Sequence, residues 1–229
     1  MATDSWTAGR TMGWIWWRRW MVFVTLGELA GFVAPALAGA LLSAAAVNAA
    51  TTLLVMLSAG AVEGTILGWA QASALRKDLP GLPRYRFAAA TGLAAVVAYA
   101  VGMLPSTLGG RLAGVHPLIL GAAAAAGAVV LLGSIGTGQW LVLRRVVPRA
   151  GWWIAATAGA WAAGLSVFLL VATPLWQQGQ PLWLTVVIGI LAGALMAATV
   201  AALTGLAAAR LLRQAEHSSM PVITDSRPV

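Results

Sequence analysis

Long apolar stretches separated by short polar segments run through most of the chain. Six of them are close to or above the roughly 20 residues that a helix needs to cross about 30 Å of hydrocarbon. They lie at 20–42, 49–75, 87–105, 117–143, 152–174 and 182–209. The breaks between them are rich in proline, glycine, serine and asparagine, which end helices. Since lipid offers no partners to backbone groups, the pattern predicts an all-α, polytopic bundle of six transmembrane helices.

Composition and charge support a membrane protein and orient it. The chain is 60% hydrophobic and 9% charged, with a mean hydropathy of +0.86, whereas a soluble domain is about a quarter charged. Thirteen of the 14 lysines and arginines lie before span 1, after span 6, or between spans 2 and 3 and spans 4 and 5. The positive-inside rule therefore predicts that both termini are cytoplasmic. This asymmetry accounts for the net charge of +8, so no nucleic-acid partner is expected.

Three regions follow from this pattern. They are a cytoplasmic interfacial segment at 1–19, a transmembrane domain at 20–214, and a cytoplasmic tail at 215–229 that is expected to be disordered. Tryptophans cluster at the first predicted membrane boundary, as is typical of an interfacial anchor. They are Trp14, Trp16, Trp17 and Trp20.

Short motifs repeat along the chain and predict three two-helix hairpins, at about 20–75, 87–145 and 152–213. At an offset of 68, the glutamine, leucine and arginine of one helix ending recur in another: Gln71, Leu75 and Arg76 align with Gln139, Leu143 and Arg144. At an offset of 66, a threonine recurs early in the first helix of each hairpin: Thr25, Thr91 and Thr157. The third copy of the helix ending, "TGLAAARLLR", has Gly205 where a glutamine is expected.

The segments "EGTILGWAQASALRKDLPGL", "GQWLVLRRVVPRAGWWIAAT" and "LTGLAAARLLR" follow one another in this order. With them, the chain from about residue 20 to residue 214 resembles a family of uncharacterised bacterial multi-pass membrane proteins with repeated G-x-x-Q-x-x-x-L-R helix endings. The resemblance implies a multi-pass helical fold in the bacterial cytoplasmic (inner) membrane. It implies no particular activity.

The repeated glutamines predict a polar layer near the cytoplasmic side. Gln71 lies within the membrane and needs a partner, and it shares a helix face with three small residues: Gly60, Gly64 and Gly68. Such a stripe lets a neighbouring backbone approach closely, and Gly136 precedes Gln139 at the equivalent place. We expect the glutamines and the three threonines to hydrogen-bond across these helix contacts.

Two acids, Glu28 and Glu63, lie inside the predicted spans, and both belong to the first hairpin. Counted from the nearest cytoplasmic arginine, they lie about 13 Å and about 20 Å deep. No lysine, arginine or histidine shares the spans, and an unpaired carboxylate there costs several kcal/mol. The acids therefore form a proton or cation site, or they are neutral carboxylic acids that hydrogen-bond to Thr25, Gln71 or backbone carbonyls and fix the helix register.

Other chemistry is poorly supported. The chain has no cysteine, and its two histidines, His116 and His217, lie outside the spans, so neither a metal site nor a cofactor is expected in the membrane. No nucleophile, base and orienting group can be assembled, which makes an enzyme the weakest class. The first class is a structural or accessory bundle that packs with lipid, a membrane protein partner or a second copy of itself. The alternative is a small-solute or ion pathway through the two acids, including a proton-coupled one.

The predicted topology can be tested by single cysteines in this cysteine-free chain. A membrane-impermeant thiol reagent added to intact cells should label Ala46→Cys and Gln178→Cys, which lie in predicted outer loops, but not Leu82→Cys. Labelling at residue 82 would contradict the topology.

Overall fold

The computed structural model of the chain describes residues 4–45, 47–112 and 114–219. Every regular element in these ranges is helical, and six helices are long and apolar enough to cross a membrane. The long helices are α1 (Asp4–Ala45), α2 (Ala49–Leu75), α3 (Arg84–Gly102), α5 (Pro117–Leu143), α6 (Trp152–Leu175) and α7 (Leu182–Ser219). A short helix α4 (Leu104–Leu108) and a 3-10 turn (Gly109–Arg111) follow α3. The six predicted helices are confirmed, with α2 and α5 correct to the residue.

Two predicted boundaries differ from the structure, because both terminal helices extend past the apolar stretch. Helix α1 already includes residues 4–19, so the expected interfacial segment continues into the first long helix without a break. Helix α7 includes residues 215–219, which were expected in the tail. The Trp152 indole on α6 donates a 3.0 Å hydrogen bond to the Gln214 amide oxygen and ties the end of α7 to its neighbour. Residues 220–229 of the predicted tail lie outside the described residues.

The six long helices form a closed ring in chain order. Each packs against the next, and α7 returns to pack against α1. Short connections make neighbouring helices antiparallel. The α2–α3 and α5–α6 connections, the start of α1 and the end of α7 therefore share one end of the ring, which we call the basic end because it carries the arginines of those segments. At this end Arg19 forms an ion pair with Asp78 and joins α1 to the α2–α3 connection.

The hydrophobic core is concentrated at the basic end. Fully buried large side chains come from all six long helices, and they include Trp20, Leu75, Phe87, Leu143, Trp153 and Leu211. The prediction of an interfacial anchor is wrong for Trp20, whose indole donates a 2.9 Å hydrogen bond to the Ala201 carbonyl of α7. It is a core residue because helix α1 turns this side chain toward α7, whereas Trp14 remains exposed.

The glycine stripe of α2 packs against α3, as the small side chains predicted. A Cβ atom at Gly64 would lie 2.5 Å from the Cβ atom of Ala95 and 2.8 Å from the Thr91 carbonyl oxygen. One at Gly68 would lie 2.6 Å from the Thr91 hydroxyl, and one at Gly60 would overlap the Tyr99 ring. Any larger residue would therefore push the two helices apart.

Packing is sparse in the half of the bundle opposite the basic end. Helix α5 shows this most clearly, because large apolar side chains along its first half are exposed: Leu118, Ile119, Val129 and Val130. In a membrane these side chains face lipid. The ring is therefore tight at one end and loosely packed at the other.

The structure improves one position of the labelling experiment described above. Leu82 is buried, so a cysteine there would escape the reagent on either side of the membrane. Gly81 is exposed in the same connection and is the better probe. Residue 46 lies outside the described residues, whereas Gln178 is exposed between α6 and α7.

Two glycines of α5, three residues apart, give a matched test of close helix packing. A Cβ atom at Gly136 would lie 2.9 Å from the Ile154 Cα atom of α6, but one at Gly133 would meet nothing within 4 Å. We expect Gly136→Ala to lower the free energy of unfolding by about 1–3 kcal/mol through overpacking. Gly133→Ala should change it by less than about 0.5 kcal/mol.

Thermal unfolding in detergent, followed by tryptophan fluorescence, provides the comparison. Equal midpoints for the two variants would show that α5 and α6 do not approach closely at Gly136.

Candidate functional site

The two repeated glutamines meet inside the ring. Gln139 on α5 donates from its amide nitrogen to the Gln71 amide oxygen on α2, at 2.6 Å, and to the Thr91 hydroxyl on α3, at 3.3 Å. The Trp153 indole on α6 donates a 2.8 Å hydrogen bond to the Gln139 amide oxygen. Both glutamines are fully buried. We call these four side chains the glutamine layer, and they link four consecutive helices of the ring.

Only one of the three predicted threonines belongs to this layer. Thr157 is buried on α6, but its hydroxyl has no hydrogen-bond partner. Thr25 is half-buried and makes no side-chain hydrogen bond within the described part of the chain. The fully buried residue on this part of α1 is its neighbour Val24. The prediction for Thr25 is therefore wrong, because a shift of one residue turns a side chain by about 100° around a helix.

The third helix ending, on α7, does not provide the glutamine position that the repeat predicts at residue 205. Gly205 on α7 lies against Trp17 and Trp20 of α1, where a Cβ atom would come within 2.8 Å of both rings. It therefore serves as a close-packing glycine and does not occupy a glutamine position. Three residues later, at the glycine-to-glutamine spacing of α2 and α5, α7 has the fully buried Ala208. The glutamine layer has no polar side chain from this position.

A cavity of about 330 Å³ lies inside the ring and is lined by all six long helices. Leu67 and Ile135 in its lining are each eight residues from the basic end of their helix, or about 12 Å. Gly102, at the far end of α3, also lines it, about 27 Å from the start of that helix. The cavity therefore extends from the middle of the bundle away from the basic end, and the glutamine layer and the core lie beneath it.

Glu63 is one of two side chains in the cavity wall that carry an oxygen atom. The other is Tyr99, whose hydroxyl donates a 2.5 Å hydrogen bond to the Glu63 carboxyl oxygen Oε2. Glu63 is only 7% exposed, although it lines the cavity. The remaining lining includes three aromatic rings: Phe32, Trp161 and Phe168. Glu63 therefore borders an aromatic, largely apolar space.

Glu28 lies behind Glu63, on α1. It is 1% exposed, and neither of its carboxyl oxygens has a hydrogen-bond partner. The two helices touch here, since a Cβ atom at Gly31 would lie 3.0 Å from the Glu63 carbonyl oxygen and 3.2 Å from its Cγ atom. Glu28 is three residues before Gly31 on the same face of α1, so the two acids lie on facing surfaces of neighbouring helices. Neither acid hydrogen-bonds to Thr25 or Gln71, in contrast to the expectation for neutral acids.

Sequence reasoning missed Tyr99 and Trp153, which provide the main hydrogen bonds to the predicted polar residues. A signal for Tyr99 was available, because it is thirteen residues from Arg86 and Glu63 is thirteen residues from Arg76. On antiparallel neighbours, this equal distance from the basic end places both side chains at the same depth. Trp153 was hidden among residues that are typical of a membrane boundary.

The donor set limits what the site can bind. Among the residues that the structure describes, no cluster of three or more histidine, aspartate and glutamate side chains is present. Two carboxyl groups and one phenol, surrounded by apolar side chains, cannot replace the six or more oxygen ligands that hard cations require. The groups that are present can hold or release a proton and attract a cation that needs little hydration.

Comparison of the chain with protein-family models, curated proteins and solved structures finds no match. The resemblance of the helix endings to a bacterial family stays a prediction, and the evidence on function comes from the geometry of the chain itself.

The glutamine layer generates a stability prediction. Gln139→Leu removes three hydrogen bonds and leaves the Trp153 indole N–H and the Gln71 carbonyl oxygen unpaired, so the free energy of unfolding should fall by about 1–3 kcal/mol. Thr137→Val on the same helix is the control, because the Thr137 side chain is exposed and bonds only to the Gly133 carbonyl of its own helix. Denaturant or thermal unfolding in detergent measures both, and an unchanged Gln139→Leu variant would contradict a stabilising role for the layer.

Proposed function

We propose that this protein provides a small-solute pathway in the membrane, with Glu63 and Glu28 as the proton or cation site along it. The observation that carries the proposal is the cavity, which Glu63 lines and which extends from the middle of the bundle away from the basic end. A buried acid is costly in hydrocarbon and is therefore commonly functional. A cavity of about 330 Å³ is also within the range of small-molecule sites.

The cavity has one closed end, which favours a carrier over an open channel. Beneath Leu67 and Ile135, the ring is filled by the glutamine layer and by the aromatic core around Trp20 and Phe87. A solute that passes through must therefore be released by a rearrangement at the basic end. The hydrogen bonds of Gln139 are the contacts that such a rearrangement would break.

A purely structural role explains less of the molecule. Packing with lipid or with a membrane partner accounts for the glycine contacts and the glutamine layer. It leaves the cavity and the two buried acids without a purpose, although apolar side chains would fill the same space at lower cost. The pathway accounts for both groups of features.

The orientation and history of the bundle belong to the same proposal. With both termini in the cytoplasm of a bacterium, the basic end faces the cytoplasm and the cavity lies toward the outer half of the inner membrane. The three hairpins are proposed copies of one ancestral unit, in which the acids were acquired by the first hairpin alone. Similar positions in different hairpins then carry different chemistry.

Water access to the cavity tests the proposal. Ala98 lines the cavity and Val97 is 45% exposed on the lipid-facing side of the same helix, at nearly the same depth. A thiol reacts as the thiolate, which forms in water and not in hydrocarbon. A small, water-soluble methanethiosulfonate should therefore modify Ala98→Cys at least about tenfold faster than Val97→Cys.

Membrane vesicles of both orientations show from which side the reagent enters, and we expect the side opposite the basic end. Equal or absent modification of the two cysteines would show that water does not reach the cavity, and the pathway would then be refuted in favour of a packed structural bundle.

A further inference from the structure

We infer that the solute is a lipophilic organic monocation, an ammonium ion with apolar substituents, which Glu63 binds in exchange for one proton. The inference rests on the proposed pathway and names the class of its substrate. It follows from the charge, the lining and the unpartnered groups of the cavity.

Charge excludes anions and gives no role to a neutral solute. Apart from Tyr99, the ionisable groups at the cavity are the two acids, Glu63 in its wall and Glu28 behind it. The spans contain no lysine, arginine or histidine. An anion would meet the carboxyl groups without any compensating positive charge. A neutral apolar solute would bind equally well to an alanine or leucine at residue 63. Only a positive charge makes use of a carboxylate at this depth.

The lining excludes a small inorganic cation. Thirteen of the fifteen lining residues have neither an acid nor a hydroxyl group, and they cannot replace the oxygen shell of a hydrated metal ion. An alkylated ammonium ion has a low hydration cost because its substituents are apolar. It can contact leucine and methionine side chains such as Leu165 and Met196 while its charge lies near Glu63.

Aromatic rings supply the second attraction for such an ion. Phe32, Trp161 and Phe168 line the cavity together with Tyr99. The negative face of an aromatic ring attracts a cation, and the attraction is larger where water is excluded. One carboxylate, several aromatic faces and a volume of about 330 Å³ match a small aryl or alkyl ammonium ion.

Exchange with a proton follows from the neighbouring groups. The titratable groups that face Glu63 from the helices packed against α2 are Glu28 on α1 and Tyr99 on α3. Helix α7, which packs against α1, has no titratable residue between Leu182 and Ala209. With the cavity empty, both acids are protonated and the site is neutral. When the cation enters, the Glu63 O–H bond breaks, the proton leaves to water, and the cation takes its place as counter-ion.

Glu28 keeps the occupied site neutral. It has no hydrogen-bond partner and is the more deeply buried of the two acids, so it retains its proton while Glu63 is ionised. One bound monocation then balances one carboxylate. Tyr99 is a positioning residue, because its hydroxyl donates to Glu63 Oε2 and leaves the other oxygen, Oε1, for the cation.

The test is binding of benzyltrimethylammonium to the purified full chain in lipid nanodiscs, with neopentylbenzene as its uncharged isostere. Calorimetry and the fluorescence of Trp161 and the other tryptophans report occupancy, and a soluble pH indicator counts released protons. We expect about one proton released per bound cation, and an affinity that rises with pH by up to about tenfold per unit while the site titrates, because protons compete with the cation. Excess neopentylbenzene should displace the bound cation only in part.

Variants assign the effect to the carboxyl group. Glu63→Gln should weaken binding at least tenfold and abolish proton release, whereas Glu63→Asp should retain both in part. Glu216→Gln, which changes an exposed acid on α7, should behave like the unmodified protein. If Glu63→Gln fails to fold, the pH dependence and proton count of the unmodified protein still decide the question.

Three results would overturn the inference. They are binding that does not depend on pH, equal affinity for neopentylbenzene, and no cation binding by a protein in which Ala98→Cys is modified from water. The last result leaves the pathway intact and refutes only the substrate class, whereas an unreactive Ala98→Cys refutes the pathway itself.

Discussion

Glycine residues let the backbone of α2 touch the neighbouring helices α1 and α3. These contacts determine which part of the bundle is tightly packed and which part contains the cavity. Gly31 of α1 touches the backbone of Glu63, and Gly64 of α2 touches the backbone of α3. These contacts join three helices into one rigid wall. The close contacts of α5, at Gly136 and Gly138, both lie near its basic end. Farther from the basic end, α5 still contacts α3, since a Cβ atom at Gly127 would lie 3.4 Å from the Val101 side chain, and the cavity lies between α5, α6 and that wall.

The same wall explains how two acids are kept inside a membrane bundle. Because α1 and α2 touch at residues 31 and 63, Glu28 and Glu63 are held side by side. The contact of α2 with α3 brings Tyr99 to Glu63. A buried polar group without a partner costs about 1–3 kcal/mol, so Glu28 is a standing cost to stability that the glycine contacts and the glutamine layer offset. In the proposed exchange, Glu28 keeps its proton, so that the carboxylate of Glu63 alone balances the cation.

The sequence was informative about helices and depth but poorly informative about rotation. Charged and turn residues bracket the apolar stretches, so the bounds of α2 and α5 could be read directly. Depth follows from counting residues, and it placed Gln71 near Gln139. Which neighbour a side chain faces depends on the rotation of each helix about its axis. That rotation is set by packing between helices and cannot be derived from the sequence of one helix alone. Thr25 was therefore misplaced, and the phenol of Tyr99 and the indole of Trp153 were not recognised as hydrogen-bond donors.

The absence of basic residues from the spans has an electrical consequence. A full elementary charge moved across the membrane gains or loses about 2.3 kcal/mol per 100 mV. With both carboxyl groups protonated, the spans contain no charged side chain on which this voltage can act. With one carboxylate balanced by one monocation, the net charge of the site is again zero. In the proposed exchange, the site is neutral both when it is empty and when it is occupied. The membrane voltage then does no work on it, and the concentration differences of solute and proton set the direction of net movement.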